Sequence, residues 1–150
     1  MGKLAYFLTL MLLATAVQVS FGASGYVNLG TSAPPTTIGP FSVTPFNTAP
    51  QSAIPDFTTV TSIPGDPRGG TLTSSAGLNK RTVPISWFTW SHGYTGPVFF
   101  CVSCTTVTLT INPSAQAFYL YVEPNNFGFY NCTVTTDTGL NSGPVAINGN

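Results

Sequence analysis

The chain has 150 residues, of which 5% are charged, with four acidic and four basic side chains. That length suits one domain with a real core, but the charge lies far below the roughly 25% of an average soluble domain. A surface solvated by Thr, Ser and Asn has no basic stripe to neutralise phosphates, so no nucleic acid partner is expected.

Residues 1–24, MGKLAYFLTLMLLATAVQVSFGAS, hold one basic residue, an apolar run from Leu4 to Val19 and then small residues. This is the order of a secretory signal peptide. Ser20 and Gly22 fit the small-x-small rule for cleavage after Gly22; Gly22 and Ser24 fit it for cleavage after Ser24. The apolar run is shorter than the roughly 20 residues that span a bilayer, so no membrane association is expected beyond the signal. The chain is therefore expected outside the cytoplasm, secreted or at the cell surface.

In residues 25–55 proline recurs every few positions and removes backbone donors. An extended segment without helix is predicted. Tyr26, Val27, Leu29, Ile38, Phe41, Val43 and Phe46 are too many apolar residues for a free linker, so the segment should lie across a sheet.

From Asp56 the composition changes to short β-branched and aromatic runs separated by Gly, Pro and Asn. Strands are predicted near 57–62, 70–75, 83–91, 97–102, 105–111, 116–123, 127–136 and 144–148. Val107, Leu109 and Ile111 alternate with Thr106, Thr108 and Thr110, giving one buried and one wet face. Phe118, Leu120 and Val122 oppose Tyr119, Tyr121 and Glu123 in the same way. No window after the signal has the three-four spacing of a helix of ten or more residues. The fold class is all-β: an antiparallel, jelly-roll-like β-sandwich over residues 56–150.

Trp87, Phe88, Trp90, His92 and Tyr94 form the densest aromatic cluster. Strand alternation would place Phe88, Trp90 and His92 on one face. Exposed, such rings stack on the apolar faces of sugars, and Trp87, Trp90, His92 and Tyr94 are the binding candidates. Buried, they fill the core.

His92 is the only histidine. An imidazole mechanism must use it, with Ser91 alongside and Asp56, Asp66 or Asp137 as orienter. No nucleophile-elbow or protease motif accompanies it, and no catalytic residue is assigned.

In an oxidising compartment Cys101, Cys104 and Cys132 are disulfide candidates. Three pairings are open, and one cysteine is left over. With His92 the three also add up to a tetrahedral zinc set, at a spacing that fits no known pattern. Glu123, Asn125, Asn126 and Asp137 are oxygen ligands near strand ends, so calcium is the one cofactor left in view.

Two stretches, TWSHGYTGPVFF (89–100) and AFYLYVEPNNFGFYNCTVTT (117–136), resemble an uncharacterised family of secreted bacterial β-sandwich proteins. The resemblance covers roughly residues 85–150. Several members are similar to PEP-CTERM-sorted exported proteins, whose Pro-Glu-Pro motif, apolar helix and basic tail have no counterpart here, so a copy truncated at the C-terminus is expected. The three cysteines depart from the family pattern. The resemblance implies fold and a bacterial, exported location, and carries no catalytic residues.

The expected function is that of a non-catalytic surface or matrix module with extracellular polysaccharide or other surface proteins as partners. The alternatives are a structural subunit of an extracellular assembly and a small secreted hydrolase built on His92.

Overall fold

The computed structural model describes residues 6–11, 25–88, 90–124 and 128–148, the first segment and Ser91 by their backbone alone. The strands are β1 (Tyr6–Met11), β2 (Thr37–Ile38), β3 (Phe41–Ser42), β4 (Thr59–Ile63), β5 (Thr71–Val83), β6 (Gly96–Phe100), β7 (Leu109–Asn112), β8 (Tyr119–Pro124), β9 (Phe129–Cys132) and β10 (Val145–Asn148). One helix, α1 (Thr48–Ser52), and a 3₁₀ turn at Ser91–Gly93 complete the described elements. The chain is all-β, as its pattern predicts, and its sheets are antiparallel. One six-stranded sheet runs in the order β4-β5-β6-β1-β8 with β7 beside β5, and β2–β3 and β9–β10 form separate two-stranded ribbons.

β5 is the spine. Its first half pairs with β7, Thr71 opposite Asn112 through Ser74 opposite Leu109. Its second half pairs with β6, Asn79 opposite Phe100 through Val83 opposite Gly96. β4 lines the other edge, and the register shifts between Val60 and Ser62, where Ser74 to Gly77 of β5 are the extra residues opposite Thr61. At Gly77 the two strands approach closely, since a Cβ there would stand 2.7 Å from Thr59 Cγ2.

Alternation along β6 feeds two cores, one on each face of the sheet. Val98 and Phe100 join Val83, Trp90, Tyr119 and Tyr121 on one side. Phe99 joins Phe46, Ile63, Leu72, Leu78 and Cys101 on the other, with Leu109, Ile111, Phe118 and Leu120 packed against them. The predicted two-faced character of 116–123 is what the structure has. Each fully buried side chain of this kind contributes roughly 1.5–3 kcal/mol.

Two local expectations are overturned. Residues 25–55 do contain a helix. Asn47 Oδ1 accepts a hydrogen bond from the Ala49 N–H at 3.0 Å and caps α1, and Pro50 lies in the first turn, where no N–H is needed. Phe46 and Gln51 are each only 3% exposed, and Gln51 Nε2 donates to the Pro64 carbonyl at 3.1 Å. Leu29, Ile38 and Val43 pack against the aromatic core.

The strand predicted over 83–91 does not form either. β5 runs on to Val83, and Pro84 lacks the donor needed to extend it. The chain then reverses, with the Ser86 and Trp87 N–H groups both donating to the Thr82 carbonyl at 2.8 and 3.1 Å. The predicted shared face of Phe88, Trp90 and His92 disappears with the strand.

Tyr6–Met11, inside the run read as a signal, is a strand between β6 and β8. The cleavage sites at Gly22 and Ser24 lie outside the described residues. Among the described residues, no helix is long and apolar enough to cross a membrane.

Candidate functional site

The turn that follows β5 separates its side chains sharply. Ile85 is 82% and Phe88 89% exposed, whereas Trp90 is 8% exposed. Trp87 turns inward, half-buried, with its ring centroid 5.9 Å from that of Phe100. Residues Pro84 to Phe88 line a shallow depression of about 140 Å³.

His92 lies against two tyrosines of the aromatic region. Its backbone is left-handed, φ 47°, and Gly93 continues the turn at φ 70°. The exposed imidazole lies 4.9 Å from the Tyr121 ring and 6.4 Å from that of Tyr94, centroid to centroid. Tyr94 Oη donates to the Pro97 carbonyl at 2.9 Å. Gly96 is required beneath it, since a Cβ there would come within 2.9 Å of the Tyr94 hydroxyl. Tyr121 Oη donates to the Ser32 carbonyl at 2.5 Å.

Burial pushes the Tyr94 hydroxyl up to about 12, and burial together with Tyr121 and Tyr94 raises Tyr119. Both remain neutral near pH 7. The Tyr119 hydroxyl is buried without a hydrogen-bond partner among the described residues. Burial also pushes Glu123 up to about 7, against the lowering effect of a hydrogen bond from the Trp87 side chain. The base of the region thus holds a carboxyl that changes charge near neutral pH.

Of the four predicted binding residues, Trp87 and Tyr94 are half-buried, His92 is exposed and Trp90 belongs to the core. The side chains this turn exposes most are Phe88, which the sequence placed in the cluster but not among the four, and Ile85, which it did not single out. Pro84, which ends the strand, was the signal that frees them from its alternation.

Two of the three carboxylates offered as partners for His92, Asp56 and Asp66, serve other groups. Asp56 Oδ1 receives Lys80 Nζ at 2.5 Å and Thr82 Oγ1 at 2.7 Å, and Ser86 Oγ donates to Asp56 Oδ2. Burial raises the Asp56 pKa, but hydrogen bonds from Lys80, Ser86 and Thr82 outweigh it and hold the carboxyl below its ordinary range. Asp66 is paired with Arg68 at 2.8 Å. The Arg68 hydrogen bonds lower its pKa against burial, and Arg68 Nη1 also reaches the Ser114 carbonyl at 3.1 Å. Asp137 is exposed in the turn leading to Gly139.

Cys101 and Cys104 are joined in a disulfide across 5.8 Å between Cα atoms. Cys132, on β9, is a free, half-buried thiol whose pKa burial raises. This picks one of the three pairings that spacing left open. Of the calcium candidates, Glu123 sits half-buried beside Trp87 and Asp137 in its exposed turn, while Asn125 and Asn126 lie outside the described residues. Among the described residues no three His, Cys, Asp or Glu side chains are grouped to hold a metal ion.

No protein-family model, curated protein or solved structure matches the chain.

Proposed function

We propose that this chain is an exported, non-catalytic β module acting at a surface or in a matrix, with carbohydrate as the ligand class. The observation that carries this reading is the outward display of Ile85 and Phe88, 82% and 89% exposed, beside the half-buried Trp87. A phenyl ring held out by a hydrogen-bonded turn is a ready stacking surface for the C–H face of a pyranose. His92, at the edge of the same aromatic region, supplies polar atoms for sugar hydroxyls. The near absence of charge suits an uncharged polymer.

The engagement of Asp56 with Lys80 and of Asp66 with Arg68 supports a binding role over hydrolysis. Export rests on the pattern of residues 1–24.

The test is a pull-down of the exported protein and its Phe88→Ala variant on cellulose, chitin and peptidoglycan. Retention by the parent and its loss in Phe88→Ala, with an unchanged circular dichroism spectrum, is the expected result. Failure of both to bind every polymer overturns the carbohydrate reading.

A further inference from the structure

The C-terminal half of β5 carries a cation that the fold leaves unanswered. Arg68 is paired with Asp66 and Lys80 with Asp56, whereas Arg81 makes no ion pair among the described residues. Its Nε and Nη1 are buried and have no hydrogen-bond partner there either. What the fold supplies is a ring: the guanidinium carbon lies 3.8 Å from the centroid of Phe57. The face of a ring attracts the charge, but it gives the N–H groups no acceptor atom.

Asn79 lies two residues back on the same face of β5. Its Nδ2 donates to the Phe57 carbonyl at 2.8 Å and to Thr59 Oγ1 at 3.3 Å. Its Oδ1 is buried without a partner among the described residues. Open donors and an open acceptor thus stand two positions apart beside one aromatic residue. Buried groups of this kind are normally satisfied, and the pair calls for something that both donates and accepts. Phe57 is 65% exposed, so little packing opposes rotation of its ring off the guanidinium. It sits on a left-handed backbone, φ 69°, which an aromatic residue rarely adopts and which gathers at ligand sites.

This corner adjoins the turn that displays Ile85 and Phe88. Ser86 Oγ donates to Asp56 Oδ2, and Asp56 immediately precedes Phe57, so the two segments lie side by side. The Lys80–Asp56 pair between them is neutral as a unit, which leaves Arg81 as the uncompensated charge.

We propose that Arg81 receives the carboxylate of an acidic sugar, a uronic acid unit, with Asn79 Oδ1 accepting from one of its hydroxyls and Phe57 lying against the pyranose. The planar guanidinium matches a planar carboxylate. One unpaired cation balances a monoanion, where a phosphate monoester brings close to two charges. The chain has no basic stripe, so the carboxylate is read at contact and not attracted from a distance. The inference rests on the carbohydrate reading and names the class of sugar.

The experiment is calorimetric titration of the exported protein with short oligomers of galacturonic acid and with their methyl esters, which keep the rings and remove the charge. The acid should bind at least about tenfold more tightly than the ester, and Arg81→Gln should erase that difference. The comparison of acid with ester on the parent needs no variant to fold. Equal binding of the two overturns the proposal and leaves the carbohydrate reading standing, because the rings alone then hold the ligand. A preference for the acid that survives in a folded Arg81→Gln overturns the assignment to Arg81. Binding of dextran sulfate as tight as that of the acid overturns the choice of a carboxylate. Binding of neither acid nor ester overturns the proposal too, and retention on cellulose, chitin or peptidoglycan then shows whether the carbohydrate reading falls with it.

Discussion

The C-terminal end of β5 and the turn that follows it invert the usual placement of charge and apolar surface. At Lys80 a charge is inside, its side chain 4% exposed against an Asp56 side chain at 19%. Five and eight residues later Ile85 and Phe88 stand in solvent. The two regions share hydrogen bonds, because Thr82 and Ser86 donate to Asp56 and Ser86 Oγ also accepts from the Thr82 N–H at 2.8 Å. The lesson is that the buried ion pair fixes the turn, and the fixed turn is what holds the rings out. Phe57 shows the same clamp from the other side. Its left-handed φ of 69° costs on the order of 1 kcal/mol. It persists where the Phe57 N–H donates to the Lys80 carbonyl at 2.9 Å and the Lys80 N–H to the Thr58 carbonyl at 2.8 Å.

The comparison breaks most visibly at Trp90, the ring of the cluster that belongs to the inside. Trp90→Ala removes a side chain 8% exposed in the aromatic core, and should cost about 3–5 kcal/mol in urea unfolding. A loss below about 1 kcal/mol would mean that Trp90 belongs to the exposed group after all.

Lys80→Met comes next. It leaves the Asp56 carboxylate without its cation, and a stranded partner of a buried pair typically costs about 3 kcal/mol. The double variant Asp56→Leu with Lys80→Met removes both charges and should recover at least half of that loss. If the double variant is as unstable as the single, hydrogen bonding to Asp56 rather than charge compensation holds the turn.

The pattern of residues announces some of this and hides the rest. Strands with clean two-residue alternation are legible: Leu109 and Ile111 on β7 and Leu120 on β8 face the core that their spacing predicts. β5 is not, because Ser74-Ser75-Ala76-Gly77 reads as a break, while the structure needs Gly77 to let β4 approach. α1 is hidden by Pro50, whose effect depends on its place within a turn. An uninterrupted apolar run such as Leu4–Val19 has no period to distinguish a leader from a strand, and β1 lies within it. At the candidate site the cluster itself is legible but its inside and outside are not. Proline at position 84 resets the direction of every ring after it.

Titration sharpens the contrast between the two carboxyl environments. Glu123 rises from its ordinary 4.5 to about 7 on burial. The folded state then holds a proton that the unfolded chain has lost, so stability falls as pH rises between about 4.5 and 7. For a half-buried group, discounted for solvent screening, the effect should be about 1–2 kcal/mol. Glu123→Gln should flatten this limb. Asp56 and Asp66 are lowered below 3.8, so their contribution is present above that value and is lost as pH falls beneath it. Urea midpoints followed from pH 3 to 8 should therefore show a maximum on the acid side of neutrality. A maximum above pH 7 would contradict the environment assigned to Glu123.

The smallest effect on stability should come from Phe88→Ala. A ring 89% exposed has little burial to lose, so urea unfolding should shift by less than about 0.5 kcal/mol. That near-neutrality is what makes it the sharpest probe of the outer region: any loss of retention on a polysaccharide then belongs to the ring and not to the fold. If Phe88→Ala instead costs about 2 kcal/mol, the ring is covered in solution. Its display in the turn would then be that of an interface between copies and not of a sugar platform. Sedimentation of the same variant distinguishes these, because a covering copy would be lost together with the ring.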